Sequence, residues 1–157
     1  MSMSNEDCAK LPLPEQGLSM RILSCPSYLP LVRAVTERLC QLLGFDEAAI
    51  GGIVLSVDEA LSNIIRHAYA GAGDRPIEID LAPLGRPTAQ LRIRLRDYGK
   101  VVDPSQIKPR DLSDIRPGGL GVHIIKQCMD HVEYSRADGG GTLLTLVKRL
   151  PGGGVPV

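Results

Sequence analysis

Residues 46–69 read DEAAIGGIVLSVDEALSNIIRHAY and carry the strongest periodicity in the chain. Ile50, Ile53, Val54, Val57, Leu61, Ile64, Ile65 and Ala68 recur at helical spacing. That predicts one long amphipathic helix with Asp46 as its N-cap, ending near Ala70-Gly71-Ala72-Gly73-Asp74. Glu59, Asn63 and His67 stand at i, i+4 and i+8, so a regular helix places them in one polar stripe away from the apolar face. For any one of these residues a solvated face is the plain reading. Asn63 asks for more, because asparagine is a mediocre residue for the middle of a helix.

Upstream of this segment, residues 18–23 alternate as a strand and a turn follows at Cys25-Pro26-Ser27. Leu31, Val32, Val35, Leu39, Leu42 and Leu43 form a helical stripe that Gly44 is placed to end. Downstream, residues 77–81 and 91–96 alternate with period two around Pro83, Gly85 and Pro87, which predicts a hairpin with one apolar and one charged face. Residues 97–118 are rich in Pro, Gly and charge, and read as a long loop of the kind that serves as a lid. A short helix is expected over residues 121–129, with Val122, Ile125 and Met129 inward. Strands at 132–135 and 142–150 then flank the turn Asp138-Gly139-Gly140-Gly141. This order predicts an α+β fold, a two-layer sandwich whose mixed, mostly antiparallel sheet is covered by helices on one face. Residues 1–17 read as a flexible leader, 18–150 as one domain and 151–157 as a flexible tail.

A chain of 157 residues with 43% hydrophobic and 23% charged residues suits a single globular domain, able to bury roughly 70% of its unfolded surface without metal or disulfide support. Eighteen basic residues cancel eighteen acidic ones, and with no Trp and one Phe there is no stacking platform for bases. Both features argue against nucleic acid as the main partner. The most apolar stretch, residues 48–57, lies between Asp46-Glu47 and Asp58-Glu59 and is too short to cross a bilayer. Glu6, Asp7 and Lys10 stand where a secretory apolar region would lie, so the expectation is a cytoplasmic protein with no membrane partner. Cys8, Cys25, Cys40 and Cys128 are scattered without a C-x-x-C pair and read as free thiols.

Four places concentrate polar or glycine residues beyond structural need. They are the Asn63 stripe, Arg96-Asp97-Tyr98-Gly99 at the end of a strand, Pro117-Gly118-Gly119-Leu120-Gly121 running into a helix, and Gly141-Thr142 at the mouth of the last strand. Each alone has an ordinary reading as a solvated face, a turn, a loop entry or a hairpin. In this order they resemble the nucleotide-binding boxes of the GHKL ATPase/kinase superfamily, the group of DNA gyrase and the histidine kinases. Residues 57–69 are most similar to the N-box of the small bacterial anti-sigma-factor serine/threonine kinases. Asp97-Tyr98-Gly99 is similar to the first glycine box, residues 119–125 (GLGVHII) to the second, and Gly140-Gly141-Thr142 to the last. The resemblance covers about residues 18 to 150. Val101 stands where the first box commonly has a second glycine.

The resemblance implies a Bergerat ATP-binding fold with ATP and Mg²⁺ as cofactors. It implies that Asn63 offers its amide oxygen to Mg²⁺, and that Asp97, with Gly99 completing its box, accepts a hydrogen bond from the adenine amino group. Gly119 and Gly121, with the amides of Leu120 and Val122, would face the phosphates at the positive end of their helix, and Thr142 would support the adenine. Glu59 would be the general base toward a protein serine hydroxyl. Lys108, Arg110 and Arg116 are candidates to close over the γ-phosphate, solvated charge being their plainer reading. An anti-anti-sigma-like protein is the implied phosphoryl acceptor, a sigma factor a second candidate partner, and a homodimer the implied assembly. Two functions stay open, a serine/threonine kinase and a non-catalytic ATP-binding regulatory module that binds a protein partner, and Glu59 is the residue that separates them. A detached histidine-kinase domain fits less well, for want of a helix pair bearing a phospho-accepting His. The P-loop and the eukaryotic kinase motifs are missing as well.

Overall fold

The computed structural model describes residues 17–85, 90–100 and 120–151. All but the last residue of the expected leader (1–17), all but the first of the expected tail (151–157), and the stretch with Val101, Lys108, Arg110, Arg116 and Gly119 lie outside the described residues. β1 (Leu18–Leu23) leads through a single 3₁₀ turn into α1 (Leu29–Leu43), then α2 (Glu47–Asn63), which continues into a π-helical turn (Ile64–Ala68). β2 (Pro76–Leu84), β3 (Gln90–Arg96), α3 (Leu120–Cys128), β4 (His131–Arg136) and β5 (Thr142–Arg149) complete the order.

The five strands form one sheet in the order β1-β2-β3-β5-β4, and each of the four pairings is antiparallel. The sheet expected to be mostly antiparallel is thus antiparallel at every pairing among the described residues. The helix pair between β1 and β2 carries the chain away and back again, so β2 enters opposite to β1. Register sets Met20 against Ile79, Ile79 against Leu95, and Leu95 against Leu144, which lines the apolar side chains up on one face.

That face is closed by the helices. Ile53, Val57 and Leu61 recur every four residues along α2 and are buried with Ile77, Ile79, Leu81, Leu91, Ile93 and Leu95 of the sheet. Val32 and Leu39 of α1 and Ile125 of α3 join the same core. Each such aliphatic side chain contributes about 1.5–3 kcal/mol on burial, so the helix layer is held by this face and not by its own propensity. The opposite face carries Arg92, Arg94 and Arg96 beside Glu78 and Asp80, with Arg94 and Asp80 paired at 3.6 Å.

Local signals placed the helix boundaries. The Asp46 side chain accepts the Ala49 N–H at 2.8 Å, the expected N-cap. Gly44 ends α1 in the left-handed region, with its N–H directed to Cys40 and Gln41 carbonyls. The helical run Glu47–Ala68 matches the expected stripe from Ile50 to Ala68, and by length and composition alone it would pass for a membrane span, which the 48–57 stretch did not suggest. Here it is the central helix of the layer, with Ile53, Val57, Leu61 and Ile64 buried against sheet and neighbouring helices.

Candidate functional site

The site begins where α2 stops being regular. Glu59 and Asn63 are one turn apart on the same face and both are half-buried. Asn63 is the last α-helical residue, and the following turn is closed by the Tyr69 N–H donating to the Ile64 carbonyl at 3.1 Å, five residues back. π turns of this kind are rare and occur disproportionately at functional sites. His67 falls within the turn and is exposed, unlike the half-buried Glu59 and Asn63.

Glycines let distant segments reach this end of the helix. A Cβ on Gly121, in the first turn of α3, would collide with Glu59 Oε2. A Cβ on Gly99 would collide with the main-chain carbonyl of Ala68, at the end of the π turn. Gly141, at φ +82°, lies against the carbonyl oxygen of Asp97 in the same way. In two of these three contacts the obstructing atoms are backbone, so no side chain can swing aside to admit a methyl group.

Asp97 sits at the junction. It is 4% exposed, its main-chain N–H donates to the Thr142 carbonyl at 3.0 Å, and its Oδ1 accepts the Gly99 N–H at 2.9 Å. Burial pushes its carboxyl above the usual carboxylate range, opposed by the Gly99 and Thr142 backbone N–H groups. Thr142, also buried, opens β5 directly beside it. Next in the chain, the Tyr98 ring lies under the Arg96 guanidinium at 4.4 Å, and its hydroxyl donates to Glu78 at 2.8 Å.

The Asn63 amide oxygen is the kind of hard donor that Mg²⁺ accepts. Among the described residues no group of three or more His, Cys, Asp or Glu is arranged to hold a metal ion. An ion held at Asn63 would share its remaining positions with a ligand and water, the usual way Mg²⁺ is bound beside phosphates. Gly121 lies in the first turn of α3, the end of a helix whose backbone N–H groups favour an anion.

Comparison with known proteins places the chain in a family. The Histidine kinase-like ATPase domain family matches residues 22–148, nearly the whole described chain. The chain belongs to that family. This histidine kinase-like ATPase domain is 26% identical over 136 residues to the serine-protein kinase RsbW of Listeria monocytogenes, covering 82% of this chain and 85% of that one. It is 33% identical over 91 residues to the serine/threonine-protein kinase BtrW of Bordetella bronchiseptica, covering 55% and 62%. The fold is shared with the SiaB-SiaC complex from Pseudomonas aeruginosa, at a TM-score of 0.59 and 10% identity over 85% of this chain and 88% of that one. It is shared too with the RsbU and RsbW domains of a Mycobacterium tuberculosis protein, at a TM-score of 0.57 and 21% identity over 85% and 32%. The GHKL resemblance, and within it the likeness to small bacterial serine kinases, holds over most of the chain.

Within this ATPase domain the candidate residues fall as follows. Glu59 meets Gly121, Gly99 meets the end of the π turn, and Asp97 meets Gly141 and Thr142. Asn63 is placed by its single-turn spacing from Glu59. Leu120 opens α3 with its side chain exposed, and Val122 is half-buried one residue past Gly121. Gly141, already marked in the sequence as part of the last glycine box, is what lets β5 touch Asp97. One contributor went unrecognised in the sequence. Tyr69, the last residue of the N-box, has a hydroxyl that accepts the Tyr98 N–H at 2.7 Å and donates to the Pro76 carbonyl. Its signal was an aromatic ring at a helix end in a chain with one Phe and four Tyr.

Proposed function

We propose that this chain is an ATP- and Mg²⁺-dependent serine/threonine protein kinase of the anti-sigma-factor type, phosphorylating a small anti-anti-sigma-like protein. The observation that carries the reading is the approach of the Glu59 carboxylate to Gly121, which puts an acid beside a helix start whose amides suit an anion. A module that only held nucleotide would have no chemical use for an acid there. The serine kinase names of the bacterial relatives support the same reaction class. A sigma factor and a second copy of the chain complete the proposed partners, and the cytoplasm is the proposed compartment.

Asn63 supplies an oxygen to Mg²⁺, and Asp97 accepts from the adenine amino group beside Gly99 and Thr142. Gly119, Leu120, Gly121 and Val122 turn main-chain amides toward the phosphates. When bound, Mg²⁺ neutralises the charge on the phosphates. Phosphoryl transfer has a loose transition state, so the chain's work is chiefly positioning and electrostatics. As the acceptor hydroxyl oxygen bonds to the γ-phosphorus, the bond to the β–γ bridging oxygen breaks, and Glu59 takes the hydroxyl proton.

Incubation with labelled ATP and a candidate acceptor tests this directly. Glu59→Gln is expected to keep its ATP affinity while transfer falls by about 100-fold or more. Full turnover in that variant overturns the role of Glu59. Wild-type protein that binds Mg-ATP yet labels no serine would instead be a non-catalytic regulatory module, and no calorimetric response to ATP with Mg²⁺ would remove the nucleotide reading altogether.

A further inference from the structure

Tyr69 closes the π turn and grips the Asp97 loop at the same time. Its main-chain N–H completes the turn to Ile64, while its hydroxyl accepts the Tyr98 N–H at 2.7 Å and donates to the Pro76 carbonyl. The residue is 8% exposed, so both hydrogen bonds are shielded from water. Tyr98 follows Asp97 directly, and the Asp97 carboxylate reaches past it to accept the Gly99 N–H. Gly99 in turn packs on the Ala68 carbonyl, one residue before Tyr69. Residues 97–99 are thus fastened to the end of the N-box helix by one hydroxyl and one glycine contact. The same hydroxyl ties in the start of β2 at Pro76.

We infer that Tyr69 is a positioning residue for nucleobase selection. Acting through the Tyr98 amide, it fixes Asp97 where a carboxylate can tell a purine bearing a 6-amino group from one bearing a 6-oxo group. The inference rests on the proposed adenine role of Asp97. A site built around a hydrogen bond to the ligand rejects the analogue that lacks it, but only while the acceptor is held in place.

The test uses the full chain with Mg²⁺ and compares ATP with inosine triphosphate, whose base carries the 6-oxo group. Tyr69→Phe keeps the buried ring and removes only the hydroxyl, leaving the Tyr98 N–H without its acceptor. The expected result is a roughly tenfold loss of preference for ATP over inosine triphosphate, since an orphaned buried amide no longer anchors the loop. KM for ATP should rise while kcat stays close to wild type, because Glu59 and Asn63 are untouched. A purely structural role would instead lower the folded fraction and weaken both nucleotides together, leaving their ratio unchanged. Wild-type protein that binds the two equally would overturn the adenine role of Asp97. A wild type that prefers ATP, beside a Tyr69→Phe variant with the same preference, would overturn the assignment to Tyr69 alone. Should the variant fold poorly, amide hydrogen exchange on the nucleotide-free wild type decides. The Tyr98 N–H should exchange as slowly as strand amides, and exchange at the rate of an open loop would overturn the inference.

Discussion

At its N-terminus α2 is closed by its own sequence: Asp46 caps the Ala49 N–H at 2.8 Å, and Glu47 adds negative charge to the first turn. At its C-terminus the same helix passes from Asn63 into a π turn whose last residues are pinned by Gly99 and Tyr98, beyond β3. The first end needs four neighbouring residues. The second needs three segments separated by two strands and the connection before α3. A helix can afford an irregular turn only where other parts of the molecule hold it, and the π turn lies where those parts arrive. The difference teaches that the candidate site draws its rigidity from long-range close approach, while the rest of the helix layer draws it from local capping and a periodic apolar face.

The contrast can be broken most forcefully at Gly99. Gly99→Ala would drive a methyl group into the Ala68 main chain and Cβ, which cannot swing aside as the far end of a flexible side chain could. A loss of about 3 kcal/mol in denaturant unfolding is expected, and a variant as stable as wild type would mean that this end of α2 is held by something else. Asn63→Ala should leave the fold intact, since Asn63 is half-buried at a helix end, yet weaken Mg-ATP by about tenfold in a calorimetric titration. Unchanged affinity would remove Asn63 from the metal site. The smallest effect belongs to the locally built end. Asp46→Ala is expected to cost about 1 kcal/mol of stability with nucleotide affinity unchanged. A change in affinity there would show that the two ends are coupled after all.

Much of the fold was legible because its signals are local. The alternation in residues 77–81 and 91–96, the stripe from Ile50 to Ala68, and the turn glycines at 44 and 139–141 each act within a few residues, and the strands and helices appear where those patterns put them. The four boxes were legible as motifs and in order. Their contacts were not. Nothing in the spacing of Glu59 and Gly121 says that a carboxylate will lie against a glycine, and the ring of Tyr69 at a helix end does not say which amide its hydroxyl will hold. The sheet was expected to be mostly antiparallel, and that every described pairing is so was left open, because direction is set by how connections run in space, which periodicity does not encode.

By itself, then, the sequence determined which segments are helix or strand, where α1 ends and α2 begins, and which family the chain joins, since each depends on residues adjacent in the chain or on a motif order that survives unfolded. Only the tertiary structure decided that α2 would end in a π turn, that three glycines would be points of contact, and that Asp97 would be buried beside Thr142. Those outcomes depend on excluded volume and hydrogen bonds between groups far apart in the chain. Such pairs exist only once the core has brought the two layers together.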